Sequence, residues 1–411
     1  MEKTPVRYPI GIQSFESLRS LGYIYVDKTE LIHNLVTTSN CVFLSRPRRF
    51  GKSLLLSTIQ AYFEGKRELF EGLAMERLET EWPVHPVLML SLARYSPLNG
   101  GNLEDILDVQ FRFWERRYGI EAKAGDLSSR FADIIMAAHD STGQTVVILV
   151  DEYDHPLIET MHDEERLESH RLLLKSIYVN IKDLDQYIRF TMLTGVSRFS
   201  KMTIFSGLNN LQDISLNYRY AAICGITERE LRDNFRRGIE ELAMKRKTDF
   251  EGALAILKAN YDGYHFTEEC PDLYNPFSLL SALNDCKIGA YWFQTGTPEF
   301  LVRHIRAGNN FLPDMFDETV EGRTLSSSDL FKARPTALLY QTGYLTIKGY
   351  EEPERYRLGI PNLEVRKGLF EDLASVYFEK DYEAIYDYVY DVRGLLEERR
   401  VDEAMERLRT F

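Results

Sequence analysis

No apolar run in this 411-residue chain approaches the length of about 18 residues that a membrane-crossing helix needs. The opening Met1-Glu-Lys-Thr-Pro5 has no apolar signal core. A cytoplasmic protein is expected, neither secreted nor membrane-spanning. Cysteine is scarce: Cys41, Cys224, Cys270 and Cys286 are far apart and form no C-x-x-C pair, which excludes a disulfide framework and a zinc site as the organising element. Basic excess is also lacking. Against 50 Lys and Arg stand 63 Asp and Glu, a net charge of −13, which argues against a surface built for non-specific nucleic-acid binding and leaves room only for a local basic face. Internal repeats and low-complexity tracts are absent. What is present is 44% hydrophobic residues, too many for a disordered chain and enough for two or three domains at this length.

The most informative segment is Val42-Phe-Leu-Ser-Arg-Pro-Arg-Arg-Phe-Gly-Lys-Ser-Leu-Leu-Leu56. A short apolar strand enters a tight turn, then Gly51-Lys52-Ser53, then an apolar-periodic helix. Loop and helix-start N–H groups in this order point at an anion. Lys52 would place a charge on the β- and γ-phosphates, and the Ser53 hydroxyl would bind Mg²⁺. The loop departs from G-x-x-x-x-G-K-[ST]: Arg46 stands at the first glycine, and Pro47 has no N–H. The competing reading is a strand–turn–helix junction with solvated basic residues.

Thr145-Val-Val-Ile-Leu-Val-Asp-Glu152 is a second signal. Its β-branched apolar run predicts a strand buried on both faces. Acids at the carboxyl end of such a strand lie where open α/β sheets bind ligands. In P-loop NTPases an Asp at this place helps hold Mg²⁺ and a following Glu can polarise the attacking water, so Asp151 and Glu152 are expected in those roles, with Asp154 as the other candidate base. The alternative is a strand end with solvated acids. A third strand, Tyr187 to Thr194, ends in Thr194-Gly-Val-Ser-Arg198. Thr194 is expected to sense the γ-phosphate, with Ser197 as alternative. Arg198 would be either a finger in cis or a surface ion pair.

These segments resemble the prokaryotic AAA-ATPase-like proteins, P-loop ATPases often fused to a C-terminal PD-(D/E)XK-type nuclease domain. The resemblance runs through Phe15-Glu-Ser-Leu-Arg19, Tyr25-Val-Asp-Lys-Thr-Glu-Leu-Ile32, Arg46-Pro-Arg-Arg-Phe-Gly-Lys-Ser53, Val150-Asp-Glu-Tyr-Asp154, Thr194 to Ser200, Gly207 to Leu211, Tyr261-Asp-Gly-Tyr-His-Phe266, Tyr274-Asn-Pro-Phe-Ser278 and Tyr291-Trp292. Arg46 is usual for that family. The resemblance implies an ATP-binding and hydrolysing enzyme that uses Mg²⁺. Arg49, Phe50, Gly51, Lys52, Ser53 and Leu54 would hold the nucleotide, Ser53 and Asp151 the metal, and Glu152, Thr194 and Arg198 would serve catalysis. It also implies that the N-terminal lead lies beside the nucleotide, with Phe15 or Tyr25 on adenine, although each aromatic alone reads as core. The late D…E-x-K constellation is not found, since Glu364-Val-Arg366 falls at a predicted helix start. A truncated form, or one naturally without the nuclease, is expected.

The predicted fold is α/β: a P-loop NTPase parallel sheet with helices on both faces, then a helical lid and a winged-helix-like, helical C-terminal region. The boundaries are 1–225 for the ATPase core with its lead, 226–325 for the lid and 326–411 for the winged-helix-like module and connector. A fifth strand is expected at Arg219 to Cys224, and Gly225 as a hinge. Thr227-Glu-Arg-Glu230 reads as a capping box. Arg229, Arg232 and Arg236 are candidate lid arginines or a solvated face. His265 is a ligand-facing or a packing histidine. The turn Glu351-Glu-Pro-Glu354 opposes phosphate, so the module is expected to pack or regulate rather than bind DNA. The partners expected are a nucleotide, and a second copy of the chain or an effector protein; nucleic acid enters only through a partner or the absent domain. Two functions stay open: an ATPase controlling an attached or partner effector, and a nucleotide-holding switch or scaffold with little hydrolysis.

Overall fold

The computed structural model describes residues 7–96, 101–121, 126–161, 163–198, 204–205, 208, 210–293, 317–325, 335–378 and 382–410. Phe199, Ser200, Gly207 and Asn209, part of the resemblance above, lie outside the described residues, as do 294–316 and 326–334.

Five parallel strands form the central sheet: β1 (Cys41–Ser45), β2 (Val87–Ser91), β3 (Val146–Asp151), β4 (Ile188–Gly195) and β5 (Gln212–Asp213), in the order β2-β3-β4-β1-β5. The period-two rule sorts their side chains between two cores. Val147 and Leu149 of β3, with Val42 and Leu44 of β1, face one hydrophobic cluster. Val146, Ile148 and Val150, with Cys41 and Phe43, face the other. β1 and β3 are buried along their whole length, as strands covered on both faces must be. Helices α1 (Phe15–Ser20), α2 (Thr29–Thr38), α3 (Lys52–Phe63) and α4 (Ala74–Leu78) supply the first cluster, and α5 (Leu103–Arg117), α6 (Leu127–Thr142), α7 (His155–Glu159) and α8 (Glu164–Asp183) the second.

One strand differs from expectation. Residues 219–224 are not extended; Tyr218–Tyr220 is a 3₁₀ turn, and the fifth strand is the short β5 beside β1. The apolar run is buried without pairing, because the Tyr220 and Ala221 carbonyls accept from the Arg46 guanidinium (3.4 and 3.3 Å) rather than from a strand.

After Gly225, α9 (Glu228–Asn234), α10 (Arg236–Arg246), α11 (Phe250–Tyr261) and α12 (Pro276–Asp285) pack around a cluster of their own, joined by Tyr8, Ile10, Ile24 and Val26 of the lead. The capping box is present: Thr227 Oγ1 accepts from Glu230 N–H and Glu230 accepts from Thr227 N–H. The short pair β6 (Ile226–Thr227) and β7 (Leu273–Tyr274) closes its base. Further on, β8 (Thr319–Glu321), β9 (Thr346–Glu351) and β10 (Arg355–Gly359) form an antiparallel sheet in the order β8-β10-β9, flanked by helices Pro335–Thr342 and Leu363–Phe378. Leu358 of this sheet, Leu338 and Leu369 of the flanking helices and Tyr344 just before β9 join the same cluster as α3 and β1. Helices Tyr382–Glu397 and Val401–Thr410 pack on each other, with Tyr388 donating to the Arg407 carbonyl at 3.0 Å. No helix among the described residues is long and apolar enough to cross a membrane.

Candidate functional site

β1 ends at Ser45, and the chain turns over its carboxyl end before α3 begins, with Gly51 as N-cap. Arg49 and Gly51 both take left-handed backbone (φ 67° and 94°). Four carbonyls of the turn are engaged. Lys52 Nζ, buried, donates to the Arg46 and Pro47 oxygens (2.9 and 3.0 Å). The Trp292 indole donates to Arg48 O at 3.3 Å, and Gly225 N–H to Phe50 O at 3.2 Å. The N–H groups of Arg49, Phe50 and Gly51 take no partner among the described residues. Successive unpaired N–H groups at a helix N-terminus are an anion-binding concavity.

This turn borders a cavity of 370 Å³. Arg48, Arg49, Gly51, Lys52, Ser53 and Leu54 line one side, and Glu152, His155 and Glu159 another. Residues 9–13 of the lead and Phe277 of α12 complete it. The Arg49 guanidinium lies 5.0 Å above the Phe277 ring. Burial pulls the Lys52 pKa down, while Glu152, then Asp151 and Asp154, push it up. An apolar pocket of 90 Å³ adjoins the cavity and shares Gly51 and Leu54 with it. Tyr25, Phe50, Ile223, Phe235 and Leu280 are among its walls. Lys28 also borders it, paired with Glu230 of α9 at 2.5 Å, so one ion pair bridges lead and capping box.

Behind Glu152 the ends of β3 and β4 are cross-linked. Thr194 Oγ1 donates to Asp151 Oδ1 at 2.8 Å, and both residues are buried. Glu152 stands in left-handed backbone (φ 52°) at the cavity wall. Asp154 accepts from the N–H groups of Val196 and Ser197 and from Ser197 Oγ, at 3.0, 2.6 and 2.5 Å. That occupies both alternatives raised by the sequence, Asp154 as base and Ser197 as sensor. Gly195 permits the arrangement: a Cβ there would stand 2.5 Å from the Tyr153 ring and 2.6 Å from Asp154.

The structure therefore brings Arg49, Gly51, Lys52, Ser53, Leu54 and Glu152 to one cavity, with Asp151 and Thr194 directly behind. Phe50 turns its ring inward, edge-on to Tyr264 and Phe266, and lines the apolar pocket rather than the cavity. Arg198 does not line the cavity; it is buried in an ion pair with Asp213 of β5. Arg46 also faces away. It is fully buried, donates to Ser45 O and Ser215 O at 2.9 Å each, and lies 4.1 Å over the Phe266 ring. Of the aromatics in the lead, Tyr25 borders the apolar pocket, whereas Phe15 is core, packed on Tyr25 and Phe70. The α9–α10 arginines pair with acids of their own helices or neighbours: Arg229 with Asp233, Arg232 with Glu228 and Glu251, Arg236 with Glu240. His265 lies away from the cavity, 3.1 Å from Asp272, whose carboxylate helps raise its pKa to about 10.

Three features escaped sequence reasoning: His155 and Glu159 at the cavity, and the Lys28–Glu230 pair at the apolar pocket; the lead is expected beside the nucleotide, and Pro9 to Gln13 are the lead residues that line the cavity. His155 and Glu159 immediately follow the acidic strand end on a short helix, which was the available signal. The Lys28–Glu230 pair spans 202 residues and leaves no local trace. Among the described residues, no group of three or more His, Cys, Asp or Glu is arranged to hold a metal. The Ser53 hydroxyl and the Asp151 carboxylate are hard oxygen ligands, which suits Mg²⁺ that takes its remaining ligands from phosphate and water.

The sequence matches the family model described as AAA-ATPase_like, predicted AAA-ATPase, over residues 9–205. It is also 38% identical, over 382 residues, to a protein of Azotobacter chroococcum mcd 1 described as "Uncharacterized protein in vnfD 5'region"; the match covers 90% of this chain and 70% of that relative.

Proposed function

The chain belongs to the AAA-ATPase-like family, and from that membership we propose that it binds MgATP in the 370 Å³ cavity and hydrolyses it. The observation that carries this reading is the row of unpartnered N–H groups at Arg49, Phe50 and Gly51, with the Lys52 ammonium beside them. In this reading those N–H groups and Lys52 bind phosphate oxygens, and Arg48 and Arg49 add charge at the rim. Ser53 and Asp151 hold Mg²⁺, which would neutralise charge on the phosphates. Glu152 takes the proton of the attacking water, and Thr194 fixes the Asp151 carboxylate. The apolar pocket beside Leu54 receives the base, with Tyr25 among its walls.

The segment 226–325 acts as a lid and 326–411 as the part that answers to nucleotide state, so that hydrolysis controls an attached or partner effector, a nuclease being one such effector. A second reading, a nucleotide-holding switch with little hydrolysis, draws support from Arg198, whose pairing with Asp213 leaves Arg48, Arg49 and Lys52 as the cavity's basic residues among those described. Phosphate release from MgATP, with Lys52→Ala as control, separates the two. Release lost in Lys52→Ala supports the ATPase. Tight MgATP binding without release supports the switch.

A further inference from the structure

The P-loop turn is backed by a part of the chain more than 200 residues away. In a trans peptide unit the C=O and the following N–H point in opposite directions. Whatever fixes the carbonyl therefore also aims the amide. The Arg48 carbonyl and the Arg49 N–H belong to one such unit. Trp292 holds that carbonyl from outside, through its indole N–H at 3.3 Å. Trp292 is itself held: its backbone N–H donates to Glu364 Oε1 at 2.9 Å, and Glu364 opens the helix Leu363–Phe378. The indole is buried and packs against Tyr344, with ring centroids 5.0 Å apart, just before β9. Contacts close by tie the same two parts together. The Gln341 side chain accepts from Arg198 N–H at 3.0 Å, and a Cβ on Gly343 would stand 2.6 Å from Pro47.

We propose that Trp292 is a positioning residue for the phosphate cradle: it turns the Arg49 N–H into the cavity and, through Glu364, makes that orientation depend on the docking of the β8–β10 sheet and its helices. The proposal rests on the phosphate reading of the cavity. It supplies a route by which nucleotide occupancy and the C-terminal module influence each other. An anion on the Arg49 N–H favours the peptide orientation that Trp292 needs, and the docked module favours the orientation that the anion needs. By linkage the two effects are equal in size.

The test uses the full chain labelled with 5-fluorotryptophan. It holds three tryptophans, and the ¹⁹F resonance missing from Trp292→Phe identifies the third. MgADP is titrated by calorimetry into wild type, Lys52→Ala, Trp292→Phe and Glu364→Gln. We expect the Trp292 resonance to move on adding MgADP while those of Trp82 and Trp114 stay in place. Trp292→Phe, which keeps an aromatic ring but loses the donor, should bind MgADP about three- to tenfold more weakly, the range for one lost hydrogen bond. Glu364→Gln keeps an acceptor and should stay within about twofold of wild type. If Lys52→Ala binds as wild type does, the phosphate reading fails, and this inference with it. If Lys52→Ala loses affinity while Trp292→Phe binds as wild type and the resonance stays still, the phosphate reading stands and the positioning role is overturned.

Discussion

The Thr194 hydroxyl donates to the Asp151 carboxylate at 2.8 Å, across the adjacent ends of β4 and β3. With Tyr153 N–H donating to the Thr194 carbonyl at 3.0 Å, this bond links the two strand ends behind the cavity. β4 lies between β1 and β3, so Thr194 sits between the P-loop strand and the acidic strand.

Lys52 is the first residue to test. Its ammonium is buried and donates, among the described residues, to the Arg46 and Pro47 carbonyls, so it is already aimed at the turn. Lys52→Ala removes a charge-assisted phosphate contact worth roughly 1.5–3 kcal/mol. MgADP affinity should fall by about 10- to 150-fold by calorimetry. Equal affinity would sink the site.

Glu152→Gln should keep nucleotide binding and lower turnover by about 10²-fold or more, as loss of a positioned base does. Asp154 is held by three donors from Val196 and Ser197 and so is poorly placed to substitute. Wild-type phosphate release from the variant would show that the water is activated elsewhere.

Arg46 should matter for stability rather than for phosphate. Its guanidinium donates to the carbonyls of Ser45, Ser215, Tyr220 and Ala221 in a fully buried site. Arg46→Ala strands those acceptors and leaves a cavity over Phe266. The expected loss is at least about 3 kcal/mol in urea unfolding. A variant as stable as wild type would mean that water replaces the guanidinium without cost.

Stability should fall as pH rises from 5 to 8. Burial raises the Glu364 pKa from an ordinary 4.5 to about 7 and the Asp262 pKa from 3.8 to about 6. The folded chain therefore holds these protons more tightly than the unfolded one. The stabilisation is complete below the unfolded values and is lost as pH passes through the folded ones. Glu364 alone is worth roughly 3 kcal/mol over that range. Glu364→Gln should flatten the pH profile of the thermal midpoint between 5 and 8; an unchanged slope would clear Glu364 of the effect.

The lead and α9 should respond together to nucleotide. Lys28 and Glu230 join them at the edge of the apolar pocket, and Gly225 packs on Phe50 of the turn. A ligand shifts this arrangement only through different affinities for its alternatives. Hydrogen exchange over residues 220–265 should slow in the order apo, ADP, non-hydrolysable ATP analogue. Identical protection in all three would favour a static scaffold.

The sequence by itself determined the order of the site. A strand buried on both faces reads as a continuous apolar run, and Val42 to Leu44 and Val146 to Val150 are such runs, so Lys52 and Ser53 could be placed at the helix start after one strand, and Asp151 and Glu152 at the end of another, from the sequence. The Thr227 capping box was equally legible, because it is closed within four residues. Tertiary structure decided what depends on partners distant in sequence. Arg46 and Arg198 look alike beside Lys52 and Thr194 in a list of basic residues, yet one is drawn inward by four carbonyls and the other by Asp213. The run 219–224 has strand composition, but its Tyr220 and Ala221 carbonyls accept from Arg46 instead of from a neighbouring strand. The indole of Trp292 reaches Arg48 across 244 positions. A side chain's local neighbours set what it can form; which distant groups compete for its hydrogen bonds is settled only when the chain has closed around it.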